Sequence, residues 1–240
     1  AINLAGAAGG ETVVSATDKS GNEYTKGIYL SWRSFEADPK NVTFDVYRSG
    51  RRIAKQITAT NLVDVGGTEG DVYRVVGSSD KKLGLQSPKI KVWANKYLEL
   101  SLNKPANQTM PDGSICTYTA NDMSVGDLDG DGRLELIVKW YPSNAKDNSQ
   151  SGYTGTTFLD GYNVDFSTGQ ASLLWRINMG VNIRSGAHYT QFLVWDFDGD
   201  GKAEIGVKTA DGTTIYRNTG SGLEETGYIG ACNADALPAD

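Results

Sequence analysis

Two stretches of this chain repeat one pattern: Asp127-Leu128-Asp129-Gly130-Asp131-Gly132-Arg133-Leu134-Glu135-Leu136-Ile137-Val138 and Asp196-Phe197-Asp198-Gly199-Asp200-Gly201-Lys202-Ala203-Glu204-Ile205-Gly206-Val207. They begin 69 residues apart. Each is a Gly-rich acidic loop that runs directly into a segment with the apolar alternation of a β-strand. A repeated loop-and-strand unit predicts the blades of a β-propeller or the turns of a solenoid.

The acidic positions in both stretches have the spacing of a calcium-binding loop. Carboxylates occur at every second position, and the glycines between them allow the chain to turn sharply around one point. Ca²⁺ prefers six to eight oxygen ligands, and three clustered carboxylates without a cation would repel one another. A solvated acidic turn is the alternative for one copy, and the second copy makes it less favoured. The predicted ligands are Asp127, Asp129, Asp131, the carbonyl of Arg133, Glu135, Asp196, Asp198, Asp200, the carbonyl of Lys202, and Glu204.

The loops differ from EF-hands and from dockerin repeats. The last acidic residue stands at position nine of the loop, whereas an EF-hand places its glutamate at position twelve before a helix. Here an alternating, β-branched segment follows, and it predicts a strand. We therefore expect a structural Ca²⁺ that stabilises turns between strands.

Upstream of the loops, the sequence predicts a separate β domain. Short alternating segments at 28–33, 42–48, 61–65, 72–76 and 90–93 are separated by turn signals, which is typical of a β-sandwich. Residues 51–52 are assigned to a turn. The predicted organisation is a sandwich over 1–95, a linker over 96–112, and about two propeller blades over 113–240.

Composition restricts the function classes. The chain has 240 residues, with 23 Lys and Arg against 29 Asp and Glu, a net charge of −6 that argues against a nucleic-acid partner. No apolar run is long enough to cross a membrane as a helix. The chain starts at Ala1, and we expect a mature form whose signal segment is not part of this sequence. Cys116 and Cys232 are either two free thiols or one bridge.

Weaker signals lie in two polar segments between the acidic loops. The amide-rich stretch 143–150 contains Asp147 and Asn148, which are candidates for another cation site. His188 is a candidate base, although a lone histidine in a polar loop is more often simply hydrogen-bonded. The tryptophans that flank these loops are predicted to be core residues, namely Trp140, Trp175 and Trp195.

Several strings in this order resemble the rhamnogalacturonan lyases of polysaccharide lyase family 11. The resemblance runs from about residue 112 to 213, and Val92-Trp93-Ala94 matches the end of the family's N-terminal sandwich. The strings are Tyr118-Thr119-Ala120-Asn121-Asp122, Ser124-Val125-Gly126-Asp127, Lys146-Asp147-Asn148-Ser149-Gln150, Trp175-Arg176-Ile177-Asn178, Ile183-Arg184-Ser185-Gly186-Ala187-His188-Tyr189-Thr190-Gln191, and Lys208-Thr209-Ala210-Asp211-Gly212-Thr213.

The resemblance implies an all-β protein, with a fibronectin III-like sandwich followed by the first blades of a calcium-stabilised β-propeller. It implies β-elimination in the rhamnose–galacturonate backbone of pectin by a secreted, extracellular enzyme. Asn121 matches a position that lines the sugar-binding cleft, and Tyr141 stands where the family is expected to have an acidic cleft residue; both are expected substrate-binding positions. The catalytic groups are expected in later blades.

An eight-bladed propeller needs several hundred residues, so we expect this chain to be an N-terminal part of such a lyase. Its expected partners are rhamnogalacturonan and the remaining blades, in the same protein or in a companion chain. The alternative is a calcium-stabilised carbohydrate-binding or adhesion module without catalysis, because integrin-like propeller repeats also carry such loops.

Overall fold

All regular elements in the described residues are β-strands, which confirms the predicted all-β class. The computed structural model describes residues 27–34, 38–79, 82–93, 97–166 and 168–230, and the backbone of three short strands before them. Within these ranges no helix has the length and apolarity needed to cross a membrane. The chain divides into two compact units, 1–100 with 165–169, and 101–164 with 170–240. The predicted boundaries at 95 and 112 stay predictions.

In the described residues, the first unit contains ten strands in three sheets. One sheet has the order β1-β4-β7, another has β10-β8-β5-β6 with β9 also on β8, and β2 pairs with β3. The strands are β1 Leu4–Ala8, β2 Ala16–Thr17, β3 Glu23–Tyr24, β4 Ile28–Trp32, β5 Thr43–Arg48, β6 Arg51–Ile57, β7 Asn61–Asp64, β8 Val72–Ser79, β9 Lys82–Gln86 and β10 Ile90–Lys91.

The two larger sheets of this unit share one hydrophobic core, as the sheets of a sandwich do. Strand β4 contributes Ile28, Leu30 and Trp32, and the facing sheet contributes alternate residues of β5 and β8. The indole of Trp32 packs edge-on against Phe44, with ring centroids 5.6 Å apart. Trp32 is therefore a core residue of this unit.

The strand predictions for this unit are confirmed for five segments, whereas strands β1, β2, β3 and β6 were not predicted. Residues 51–52 begin strand β6 and do not form a turn. The turn is confined to Ser49 and Gly50, which have φ angles of 45° and 85°. Two consecutive residues with positive φ are the mark of a tight hairpin turn, which lets the next strand begin at once. Strand β9 was not predicted.

The part of the second unit that the structure describes contains ten strands in three sheets. The largest has six strands in the order β13-β14-β15-β16-β19-β20, while β11 pairs with β12 and β17 with β18. The strands are β11 Gln108–Thr109, β12 Ile115–Cys116, β13 Tyr118–Gly126, β14 Glu135–Pro142, β15 Phe158–Asp165, β16 Gln170–Asn178, β17 Phe192–Trp195, β18 Glu204–Val207, β19 Thr213–Asn218 and β20 Leu223–Ile229. The two predicted blades are not visible as separate sheets in the described residues.

A buried ionic cluster lies in the six-stranded sheet. The carboxylate of Asp160, which has no exposed surface, accepts hydrogen bonds from Trp140 Nε1 at 2.7 Å and Tyr162 OH at 2.8 Å. Arg176 donates to it from both Nε and Nη2, each at 2.7 Å, and also donates to the carbonyl of Asn103 at 2.6 Å. This bidentate pair cross-links β14, β15 and β16 with the segment that precedes them.

The tryptophan predictions differ in outcome. Trp140 is buried, and Trp175 packs against the cluster formed by Leu159, Met179 and Ile183. Trp195 is 70% exposed, so its assignment to the core is wrong. It lies at the end of β17 in a two-stranded sheet, where the described residues provide no layer to cover it. Cys116 is buried, and Cys232 lies outside the described residues.

Candidate functional site

The first acidic loop connects β13 to β14 and wraps around its own carboxylates. Asp127 accepts hydrogen bonds from the backbone N–H of Gly130 at 2.7 Å and of Gly132 at 2.8 Å. Asp129 accepts from Asp131 N–H at 3.0 Å, and Asp131 accepts from Arg133 N–H at 2.8 Å. Gly130 and Gly132 adopt φ angles of 82° and 83°, which explains why glycine occupies both positions.

The second loop connects β17 to β18 and repeats these contacts. Asp196 accepts from Gly199 N–H at 2.7 Å and Gly201 N–H at 2.9 Å. Asp198 accepts from Asp200 N–H at 3.1 Å, and Asp200 accepts from Lys202 N–H at 2.8 Å. Corresponding distances agree within 0.1 Å in the two loops. The sequence repeat is therefore also a repeat of backbone geometry.

A glutamate at the start of the following strand closes each loop. Glu135 accepts from Leu128 N–H at 2.7 Å, and Glu204 accepts from Phe197 N–H at 2.8 Å. Glu135 is buried, and this burial raises the pKa of its carboxyl above the ordinary value. The hydrogen bond from Leu128 opposes the shift, while the charges of the three loop aspartates add to it. A cation beside these groups would instead favour the ionised carboxylate.

The carboxylates converge into two groups that fit a hard metal ion. In the second loop Asp196, Asp198, Asp200 and Glu204 each offer an oxygen, and these atoms lie within 4.8 Å of one another. In the first loop Asp127, Asp129 and Glu135 meet the same criterion. An all-oxygen donor set of this kind suits Ca²⁺ or Mg²⁺ and not the softer metals.

Asp131 is not among the members of the first group, and its assignment as a ligand stays a prediction. One oxygen of Asp131 accepts from Arg133 N–H, and the other lies 3.8 Å from Arg133 Nε in an exposed ion pair. The carbonyl ligands expected from Arg133 and Lys202 stay predictions. Asp147, the other candidate for a cation, belongs to neither group; its pKa is lowered chiefly by the hydrogen bond from Ser149 N–H.

The two loops are neighbours within the second unit. The N–H of Ala203 donates to the carbonyl of Asp127 at 2.6 Å. A Cβ atom on Gly126 would stand 2.6 Å from Cγ1 of Val194 and 2.7 Å from Cβ of Ala203. The loops therefore pack at a point where only glycine fits.

We expect Gly126→Ala to destabilise the protein by about 1–3 kcal/mol, the usual range for overpacking. Urea unfolding would measure the change. Gly70→Ala is the matched control, because a Cβ there meets nothing within 4 Å, and a change within about 0.5 kcal/mol is expected. Equal effects of the two substitutions would contradict the close packing of the loops.

Asn121 and Tyr141 lie on neighbouring strands beside a β-bulge. The register of β13 and β14 pairs Thr119 with Tyr141 and Ala120 with Trp140, and it resumes at Met123 with Val138. Asn121 and Asp122 therefore face the single residue Lys139, which is the arrangement of a bulge. Asn121 is exposed and Tyr141 is half-buried. A bulge re-aims side chains, and such features are frequent near binding sites.

Lys139 is the buried residue opposite this bulge, and its role was not predicted from the sequence. Its side chain is 2% exposed, and its Nζ forms an ion pair with Asp122, whose side chain is 55% exposed. The same Nζ lies 3.5 Å from the carbonyl of Tyr189. A buried lysine needs such a partner because an unpaired charge is costly away from water. Lys139 thus connects the bulge to the 184–191 segment.

Arg184 organises the neighbouring amide-rich loop. Its guanidinium donates to the carbonyls of Gly152 at 2.7 Å, Asp147 at 3.3 Å, and Gln150. The N–H of Asn148 donates to Tyr189 OH at 2.8 Å, which ties the loop to the same segment. His188 is exposed beside this loop. Arg184, Tyr189 and the amide-rich loop are therefore connected through hydrogen bonds to Lys139 and the bulge.

Comparison with known families covers most of the chain. The family profile described as "Rhamnogalacturonan lyase family 11, C-terminal domain" matches residues 97–235. The profile described as "Rhamnogalacturonan I lyases beta-sheet domain" matches residues 20–93.

Two curated relatives are equally similar to the chain. Rhamnogalacturonan endolyase YesW of Bacillus subtilis (strain 168) is 50% identical over 210 residues, which are 87% of this chain and 32% of YesW. Rhamnogalacturonan exolyase YesX of the same organism is 50% identical over 191 residues, which are 79% of this chain and 30% of YesX. The chain thus spans about a third of the length of these relatives.

Solved structures agree with the sequence comparison. The crystal structure of YesW matches with a TM-score of 0.72 at 48% identity, covering 88% of this chain and 34% of YesW. A Bacillus licheniformis rhamnogalacturonan lyase matches with a TM-score of 0.71 at 47% identity, covering 86% and 34% of the two chains. The profile that covers residues 97–235 accounts for more than half of the chain, so this protein is a member of rhamnogalacturonan lyase family 11.

Proposed function

We propose that this chain is part of a rhamnogalacturonan lyase that cleaves the rhamnose–galacturonate backbone of pectin by β-elimination, outside the cell. The observation that carries the proposal is the 50% identity to both an endolyase and an exolyase of this substrate class. It is supported by Asn121, which is exposed on a bulge whose other residue, Asp122, forms an ion pair with the buried Lys139.

The two acidic loops are proposed to hold structural Ca²⁺. Their oxygen-only donor sets fit this ion, and the buried Glu135 carboxylate has one hydrogen-bond donor in the described residues, which leaves capacity for a cation. When bound, the ion neutralises the clustered carboxylates and fixes the loops. Each loop is also held by contacts of its own, because its backbone N–H groups donate hydrogen bonds to its aspartates.

In the proposed reaction, Asn121 binds a sugar hydroxyl and orients the substrate. The side-chain amide donates and accepts hydrogen bonds but does not abstract a proton, so the base is another group. We propose that further sequence, corresponding to the rest of the relatives' length, supplies that base and the remaining blades of a propeller. The strands of the second unit would then form its first blades.

The test is an absorbance assay for unsaturated uronate with rhamnogalacturonan and homogalacturonan. We expect a protein extended to the relatives' full length to cleave rhamnogalacturonan, and residues 1–240 alone to give no product. In the extended protein, Asn121→Ala should lower kcat/KM at least about tenfold, which corresponds to ~1.4 kcal/mol, without lowering the melting temperature.

Asn61→Ala, an exposed asparagine on β7 of the first unit, is the matched control and should leave kcat/KM unchanged. Binding of rhamnogalacturonan without any unsaturated product from the extended protein would contradict the lyase proposal and favour the non-catalytic binding module. Product formation by residues 1–240 alone would contradict the location of the base and would make His188 and Arg184 the first residues to mutate.

A further inference from the structure

The five-stranded sheet of the first unit carries, on the face opposite its core, a row of cations centred on one tyrosine. Phe44 and Val46 of β5 point into the core, so Tyr47 points to the opposite face of the sheet. The register places Arg74 of β8 on one side of Tyr47 and Arg52 of β6 on the other. The Ile90–Tyr73 pair places Lys89 next to Arg74, so the row continues to the edge at β10.

The ion pairs in the described residues do not neutralise every cation of this row. Arg52 is paired with Asp45 at 3.0 Å, and the guanidinium of Arg74 stacks over the Tyr47 ring at 5.7 Å from its centroid. Neither Arg74 nor Lys89 forms an ion pair anywhere in the described part of the chain. Like charges on adjacent strands disfavour a sheet. Because Arg74 and Lys89 have no carboxylate partner in the described residues, both can bind an external anion.

A cleft of about 300 Å³ opens along this row. Its mostly apolar lining comprises Tyr47, Ser49, Gly50, Val72, Tyr73, Arg74 and Lys89. This volume is at the lower end of small-molecule sites, and the combination of an aromatic face with carboxylate-binding cations is chemically specific. The aromatic ring offers an apolar surface to a sugar ring, while Arg and Lys bind a carboxylate.

We propose that this cleft is an accessory binding site for a uronate-containing saccharide chain. Charge complementarity supports it, because residues 1–100 carry 14 Lys and Arg against 11 Asp and Glu, while residues 101–240 carry 9 against 18. The row crosses four strands, and this elongated shape suits a chain-like ligand. The choice of a uronate rests on the proposed function, whereas the binding of a carboxylated sugar rests on the cleft itself.

The test is calorimetric titration of the whole chain with tetragalacturonate, at constant calcium. Arg74→Gln/Lys89→Gln should weaken binding about tenfold or more, because two charge-assisted contacts are lost. Tyr47→Leu should weaken it severalfold by removing the ring and provides a variant of unchanged charge. Lys104→Gln/Arg217→Gln removes the same two charges from exposed positions of the second unit and should bind as the parent does.

Two outcomes would overturn the proposal: unchanged binding in both cleft variants, or binding of polyaspartate as tight as that of tetragalacturonate, which would indicate ion exchange only. Lyase activity is read separately by the unsaturated-uronate absorbance of the extended protein on short rhamnogalacturonan fragments. The cleft variants should not change it. If the parent chain does not bind tetragalacturonate but the extended protein cleaves normally, this proposal alone fails; if the parent chain binds and the extended protein does not cleave, the lyase proposal alone fails.

Discussion

Chelation of divalent cations will lower the melting temperature of this protein, and millimolar Ca²⁺ will restore it. A ligand that binds only the folded state stabilises it by about 2.7 kcal/mol at a concentration 100 times its Kd. In a protein of this size 1 kcal/mol corresponds to about 2–4 °C, so each occupied loop should contribute roughly 5–10 °C. Thermal unfolding with excess chelator and with excess calcium measures the difference.

The shift should be larger at neutral than at acidic pH. Burial raises the pKa of Glu135 in the folded chain, so without a cation the folded state binds its proton more tightly than the unfolded state does. This contribution stabilises the metal-free fold at low pH and is lost as pH rises through the raised pKa. A bound cation compensates the carboxylate charge in place of that proton. Its stabilising effect is therefore greatest at pH values above the raised pKa, where Glu135 would otherwise be ionised without a compensating charge.

Asp129→Asn and Asp198→Asn should each abolish one bound ion and about half of the calcium-dependent shift. The amide keeps the acceptor that receives the loop N–H in each case, at 3.0 Å and 3.1 Å, but removes the charge. Glu225→Gln is the matched control, since Glu225 is exposed on β20 and outside both acidic groups. Identical melting curves with chelator and with calcium, or unchanged metal content in the two Asn variants, would contradict the metal assignment.

The acidic loops and five of the ten described strands of the first unit were predictable because their signals are local. Alternate aspartates with glycines between them encode one loop geometry, and alternating apolar residues encode a half-buried strand. Strand β6 was not predicted, because its first residues, Arg51 and Arg52, are polar and were assigned to the preceding turn. Both follow a two-residue turn of Ser49 and Gly50, whose positive φ angles leave little trace in composition.

The long-range polar contacts had no such signal. Lys139 and Asp122 are 17 residues apart, and Asp160 and Arg176 are 16 apart, so strand register alone brings each pair together. Trp195 was predicted to be a core residue but is exposed. An apolar residue indicates burial only where a neighbouring layer exists. The arrangement of the strands as propeller blades also depends on neighbours, and it stays a proposal.

Asp160→Ala should be among the most destabilising single substitutions in the second unit. Asp160 has no exposed surface and accepts four hydrogen bonds, two of them from Arg176, whose side chain is 13% exposed. Burial lowers the pKa of Arg176, but hydrogen bonding and charge from Asp160 outweigh it, so the net pKa is raised and the guanidinium stays charged. Removing the carboxylate leaves that charge with the Asn103 carbonyl as its acceptor in the described residues.

Breaking a buried ion pair from one side costs about 3–5 kcal/mol, which corresponds to a decrease of roughly 6–20 °C in melting temperature. Arg133→Ala is the control, because Arg133 is 72% exposed and its pair with Asp131 spans 3.8 Å; it should cost at most about 1 kcal/mol. The double variant Asp160→Ala/Arg176→Met should be more stable than Asp160→Ala alone, since it removes the stranded charge. Equal urea midpoints for Asp160→Ala and Arg133→Ala would contradict this prediction. Arg176 would then be hydrated in the absence of Asp160, and the cluster would stabilise the fold by packing and not by compensating a buried charge.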